Sequence, residues 1–118
     1  MKEEGNTDLI ERTMEFALRI VTLSAGLPKT EEARVIGKQV LRSGTSVGAN
    51  YREAQRARSK AEFIAKIGDC LKELDETSYW LELLVRASIV PESKLSALRD
   101  ENEQLLAIFT TISIKAKG

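Results

Sequence analysis

Apolar residues recur at three- and four-residue intervals along four successive segments of this chain, and nowhere alternate with period two over a useful length. That spacing puts them on one face of a helix and leaves no strand from which to build a sheet. The first segment carries Leu9, Ile10, Met14, Phe16, Ala17, Ile20, Val21 and Leu23, and the second Val35, Ile36, Val40 and Leu41. The third carries Phe63, Ile64, Ile67, Leu71, Leu74, Leu81, Leu84 and Val85, and the fourth Leu95, Leu98, Leu105, Leu106, Ile108, Phe109 and Ile112. With only two prolines and seven glycines, the composition agrees with helix throughout. A chain of 118 residues has room for one domain with its own core.

Punctuation between the segments sets the expected bounds. Met1 to Asn6 is polar and reads as a frayed end. Thr7 or Asp8 caps the first helix, and Asp8 with Glu11 has the form of a capping box. Gly26 stands where a left-handed residue ends a helix, with Pro28 just beyond. Thr30 is a natural N-cap, and Glu31 and Glu32 suit the positive end of the second helix. Ser59 and Glu62 form a second capping box, and Pro91 with Ser93 opens the fourth helix, near whose end Lys115 and Lys117 suit the dipole. Residues 1–118 therefore form a single all-α domain with helices at about 8–25, 31–56, 60–88 and 92–115. Short connections make them an antiparallel up-down-up-down four-helix bundle.

Only the run Arg42-Ser-Gly-Thr-Ser-Val-Gly-Ala-Asn-Tyr-Arg-Glu-Ala54 departs from the Leu, Glu and Lys vocabulary of the rest. As a helix it sets Gly44 and Gly48 on one face and Ser46, Asn50 and Glu53 on another. Each glycine costs about 1 kcal/mol against alanine in a helix interior, so close approach of a neighbour should compensate. The alternative is a break at Gly44 or Gly48. Val40, Leu41, Val47, Tyr51 and Ala54 keep helical spacing across it, which predicts a continuous helix. Val47, Tyr51, Tyr79 and Trp80 exceed what one core face needs and are candidates for a partner surface.

The 18 basic and 18 acidic residues cancel, but their distribution is uneven. Ala33 to Lys60 carries a net +6, and Asp69 to Glu103 a net −5. Such asymmetry serves either a basic face for polyanions or two complementary patches that meet between subunits. Arg34, Lys38 and Arg42 form a ridge on the second helix, which Arg52 and Arg56 broaden about 80° further round the axis. These five are the candidate nucleic-acid contacts, with a solvated face as the alternative.

Several chemistries drop out. The sequence has no histidine, which removes His-dependent metal sites, haem ligation and His-based triads. No metal or cofactor is expected. Glu73 and Glu76 share a face, but solvated surface or an ion pair with Lys66 or Lys72 explains them better than acid–base work. Ser43 and Ser46 have no partnered base, and no phosphate loop follows a strand. The single Cys70 falls among core positions and reads as a small buried hydrophobe. No apolar run suggests a secretory signal or a membrane span, so a soluble, cytoplasmic protein without enzymatic activity or a small-molecule substrate is expected.

The run from Arg42 to Ala54, then Arg58-Ser-Lys-Ala-Glu-Phe-Ile-Ala-Lys66 and Leu71-Lys-Glu-Leu-Asp-Glu-Thr-Ser-Tyr-Trp-Leu81, resembles the four-helix-bundle proteins encoded by intervening sequences of bacterial large-subunit ribosomal RNA genes. The same fold family includes the accessory protein of diversity-generating retroelements, a pentameric barrel with a basic surface for nucleic acid. The resemblance implies a homopentamer, with structured RNA or a protein as partner. It also implies structural or interface roles for Ser46, Asn50 and Glu53 on the second helix and Lys66, Glu73, Glu76 and Trp80 on the third. The zero net charge departs from the retroelement branch, where a markedly basic protein is expected.

Overall fold

The computed structural model describes the backbone of residues 2–118 and side chains from Asp8 onward. Four helices follow in order: α1 (Lys2–Ala25), α2 (Glu31–Gln55), α3 (Lys60–Arg86) and α4 (Glu92–Lys117). They make an all-α four-helix bundle of 44 × 23 × 20 Å. α1 packs on α2, α2 on α3 and α3 on α4, while α1 and α4 touch only lightly. Across that loose seam Arg12 reaches Glu101 through Nε (2.7 Å) and Nη2 (3.0 Å), and Gln104 through Nη2 (2.8 Å). The hydrogen bond to Glu101 raises the Arg12 pKa, against a smaller opposing effect of burial.

The expected caps form at two places. Thr30 accepts from Ala33 N–H (3.2 Å), and Ser59 from Glu62 N–H (3.0 Å). Glu62 does not close the box on Ser59; its carboxylate takes the N–H of Arg58 instead (3.2 Å), one residue earlier. At α4 the cap is Pro91, with no side-chain bond and with Lys94 N–H on its carbonyl (3.0 Å), so Ser93 caps nothing.

Two boundary expectations need correction. Helix α1 begins at Lys2, so Asp8 and Glu11 lie in its interior and form no capping box. Thr7 as a cap lies outside the described side chains. Gly26 is not left-handed; it ends α1 by donating to Thr22 O (3.2 Å) and Leu23 O (3.1 Å). The left-handed residue is Ser88 (φ 60°), just beyond α3. Ile89 N–H there reaches Leu84 O (3.0 Å) and Ser88 N–H reaches Val85 O (3.0 Å), which satisfies the last carbonyls of α3 in the paired pattern usually built on glycine.

Helix α2 is unbroken through Arg42–Ala54. Its small residues face α1: a Cβ on Gly44 would stand 2.7 Å from Ile20 Cγ1, on Gly48 3.0 Å from Thr13 Oγ1, and on Gly37 2.8 Å from Leu27 Cδ1. At Gly44 and Gly48 the helices thus approach more closely than side chains would permit, and Gly37, two turns before Gly44, lies on the same face against Leu27 just beyond α1.

The core is built as the spacing predicts around Phe16, Ile20, Val40, Ile67, Leu74, Leu81, Leu84, Leu105 and Phe109. Val47 and Tyr51, expected as surplus apolar surface, are core residues too, and Tyr51 meets Phe109 edge-on at 5.4 Å. Burial raises the Tyr51 pKa. The surplus lies elsewhere. Met14, Leu18 and Val21 are 41%, 52% and 45% exposed along the outer face of α1, because that helix carries apolar residues on two sides.

Polar groups inside the bundle are mostly spoken for. Ser43 Oγ and Thr77 Oγ1 lie 2.7 Å apart between α2 and α3, and Thr77 donates onward to Glu73 O (2.8 Å). Asn102 Nδ2 donates to Leu74 O (3.1 Å), while its Oδ1 has no partner. Cys70 is buried with Sγ 3.6 Å from Val47 O, and loss of solvation pushes its thiol up to about 12.

Candidate nucleic-acid interface

The candidate residues fall on α2, its C-cap and α3, and the packing of these two helices decides which cations remain available. From Arg34 to Arg56 the helix rises about 33 Å, so the ridge spans most of the rod. Arg42, at its middle, turns across to α3: Nη1 reaches Glu73 (3.2 Å) and Nη2 reaches Glu76 (2.7 Å). Both carboxylates stand one turn apart on the face that α3 turns toward α2. The expected partners Lys66 and Lys72 do not serve them.

Lys66 belongs to Glu53, at 2.5 Å, and the hydrogen bond and charge of that carboxylate raise its pKa. Ser46 Oγ is taken by Arg42 O (2.6 Å) in its own helix. Thus Ser46, Glu53, Lys66, Glu73 and Glu76 border one seam between α2 and α3, and each is engaged within the chain. Exposed pairs of this kind are well screened by solvent, so they fix the relative setting of two helices more than they add stability. Asn50 is half-buried between Ser46 and Glu53 on the same helix.

Trp80 continues the α3 side of that seam, half-buried, with its ring 5.0 Å from Tyr79 in an edge-to-face pair. Its Nε1 is buried without a hydrogen-bond partner, and Tyr79 is 60% exposed. The apolar surplus expected at these two aromatics is therefore present at Tyr79 and partial at Trp80.

With Arg42 engaged, the ridge resolves into two clusters. At the α1–α2 corner Arg34 and Lys38 are joined by Lys29 around a shallow cavity of about 200 Å³ that Ser24 and Gly37 also line. Toward the other end Arg52 and Arg56 are exposed. None of these five side chains forms an ion pair with a described residue. Lys29 lies one residue before the N-cap Thr30, outside the periodic segment, which is why helical spacing does not bring it forward. Such clusters supply fixed positive charge for phosphate oxygens.

A model of the family described as 23S rRNA-intervening sequence protein matches residues 5–111. The fold is similar to the crystal structure of a protein with unknown function from the S23 ribosomal protein family of Bacteroides thetaiotaomicron VPI-5482. The two are 40% identical, with a TM-score of 0.83, over 88% of this chain and 96% of that one. No curated protein matches the sequence. Among the described residues no helix is long and apolar enough to cross a membrane.

Proposed function

Because the chain belongs to the family of 23S rRNA-intervening sequence proteins, we propose that it is a non-enzymatic, homo-oligomeric binding module of the cytoplasm that holds structured RNA through the exposed cations of α2. The observation that carries this reading is the pair of exposed clusters without an ion pair to any described residue, Lys29 with Arg34 and Lys38 at one end and Arg52 with Arg56 toward the other, in a chain of zero net charge. Charge kept apart from its counter-charge within one fold is available to a polyanion. The absence of histidine and the engagement of Ser43 by Thr77 favour binding over catalysis.

Oligomerisation has its own support in the outer stripe of α1, where Met14, Leu18 and Val21 stand exposed. The subunit number we propose is the pentamer that the sequence resemblance implies. That stripe also favours a second reading, a purely structural module in which the basic α2 of one subunit pairs with the acidic α3 and α4 of the next.

One variant separates the two. Lys38→Glu with Arg56→Glu reverses one exposed cation in each cluster. If the particle keeps its size by light scattering while RNA binding is lost, the binding reading stands. Dispersal to monomers supports the structural module and overturns the RNA reading.

A further inference from the structure

Antiparallel packing carries the last turn of α4 to the same end of the bundle as the α2–α3 connection. Asn102 on α4 is level with Leu74 on α3, to whose carbonyl it donates at 3.1 Å. Lys60 lies about 20 Å from that level along α3, and Lys115 and Lys117 lie about 20 Å from it along α4, in the same direction. On α2 the Glu53–Lys66 pair and the contact of Tyr51 with Phe109 set Arg52 and Arg56 toward this end as well. Arg58 lies in the connection itself.

Six cations, Arg52, Arg56, Arg58, Lys60, Lys115 and Lys117, thus stand at one end of the bundle, Arg52 beside the groove between α1 and α2 and Lys115 and Lys117 on α4. All six are exposed, and none forms an ion pair with a described residue. Two described carboxylates, Glu53 and Glu62, line a cavity with Arg56, Arg58 and Lys66 at this end. Glu53 holds Lys66, Glu62 accepts the backbone N–H of Arg58, and Asp8 lies in the field of Arg12 one turn along α1. No described aromatic ring offers a free face here, since Phe63 packs against the core and Tyr51 and Phe109 are buried. A surface that stacks unpaired bases needs such rings, whereas a surface that follows a duplex by its phosphates does not.

We propose that this end of the bundle seats the phosphate backbone of double-stranded RNA, gripping it by charge and shape without reading bases. The inference rests on the RNA-binding reading above and makes the end of the rod, including the tail of α4, the principal contact. It binds unrelated duplex sequences alike and the matching single strands more weakly.

The test is fluorescence anisotropy with two unrelated RNA duplexes of about 16 base pairs, the span of a typical duplex-binding domain. The proteins are the full chain, the variant Arg58→Ala/Lys60→Ala/Lys115→Ala/Lys117→Ala, and the corner variant Lys29→Ala/Arg34→Ala/Lys38→Ala. Circular dichroism confirms helix content in each. Each phosphate deprived of its cation lowers the slope of log K against log salt by about one, so the end variant should drop by about three to four units of slope. Lys60→Arg/Lys115→Arg/Lys117→Arg should bind like the unaltered chain. An end variant that binds the duplex as the unaltered chain does, while the corner variant loses binding, overturns the inference and leaves the RNA-binding reading intact. An unaltered chain that binds no RNA at any salt overturns the reading itself.

Discussion

Replacing Gly44 with alanine probes the close packing of α1 on α2 most sharply. The added Cβ would stand 2.7, 2.9 and 3.0 Å from Cγ1, Cγ2 and Cδ1 of Ile20, a fully buried residue. Because Ile20 is β-branched, rotating χ1 exchanges one γ carbon for another and does not clear the space. The helices must move apart instead. Overpacking of this kind costs about 1–3 kcal/mol, and here the upper part of that range applies, while alanine returns about 1 kcal/mol of helix propensity. The net loss is about 1–2 kcal/mol, or roughly 4–8 °C in Tm for a chain this size. Two internal comparisons calibrate it. Gly68→Ala meets nothing within 4 Å and should gain about 1 kcal/mol. Gly37→Ala meets chiefly the far end of Leu27, at 2.8 Å, which can rotate away, so its effect should be near zero. Urea and thermal unfolding followed by far-UV circular dichroism measure all three. A Gly44→Ala protein as stable as Gly68→Ala would refute the reasoning, because it would mean that α1 does not lean on that face.

Three further outcomes follow from particular contacts. Ser88→Gly should stabilise the protein by about 1 kcal/mol in the same unfolding assay, since Ser88 holds φ 60° and glycine adopts it without strain. Ser59→Ala should destabilise by about 1 kcal/mol, because Glu62 N–H is left without its acceptor at the start of α3. The Cys70 thiol is raised from 9.0 to about 12 by burial, so the folded state favours the protonated form and the unfolded state ionises first. Its contribution to stability is complete below pH 9 and is lost as pH rises from there to about 12. Urea midpoints across that window should fall less steeply for Cys70→Ala, and a thiol reagent should label the unaltered chain only when urea is present.

Much of the architecture can be read from spacing alone, because a helix must bury its apolar face whatever it packs against. The caps Thr30 and Ser59 are legible for a local reason: the hydroxyl and the N–H that it serves are three residues apart in one chain segment. Ser88 is not legible, since nothing in its side chain announces a left-handed backbone, and Gly26 misleads because glycine permits that conformation without requiring it. Helical spacing alone leaves Arg42 a free cation. Its commitment to Glu73 and Glu76 depends on how α3 is rotated against α2, which a single helical wheel does not contain. Val47 and Tyr51 pass for surface in the sequence because α2 is buried against α1 and α3 together, so it needs a wider apolar arc than a helix with one neighbour. That Lys115 and Lys117 lie at the same end of the bundle as Lys60 and Arg58 depends on the same antiparallel register and becomes visible only with the helices in place.

The most direct measurement is the affinity of the unaltered protein for structured RNA as ionic strength rises from about 50 to 200 mM. With six exposed cations at one end of the bundle that form no ion pair with a described residue, log K should fall linearly with log salt, at about 0.9 per phosphate contacted on a duplex. A flat line, or no complex even at the lowest salt, would contradict the account.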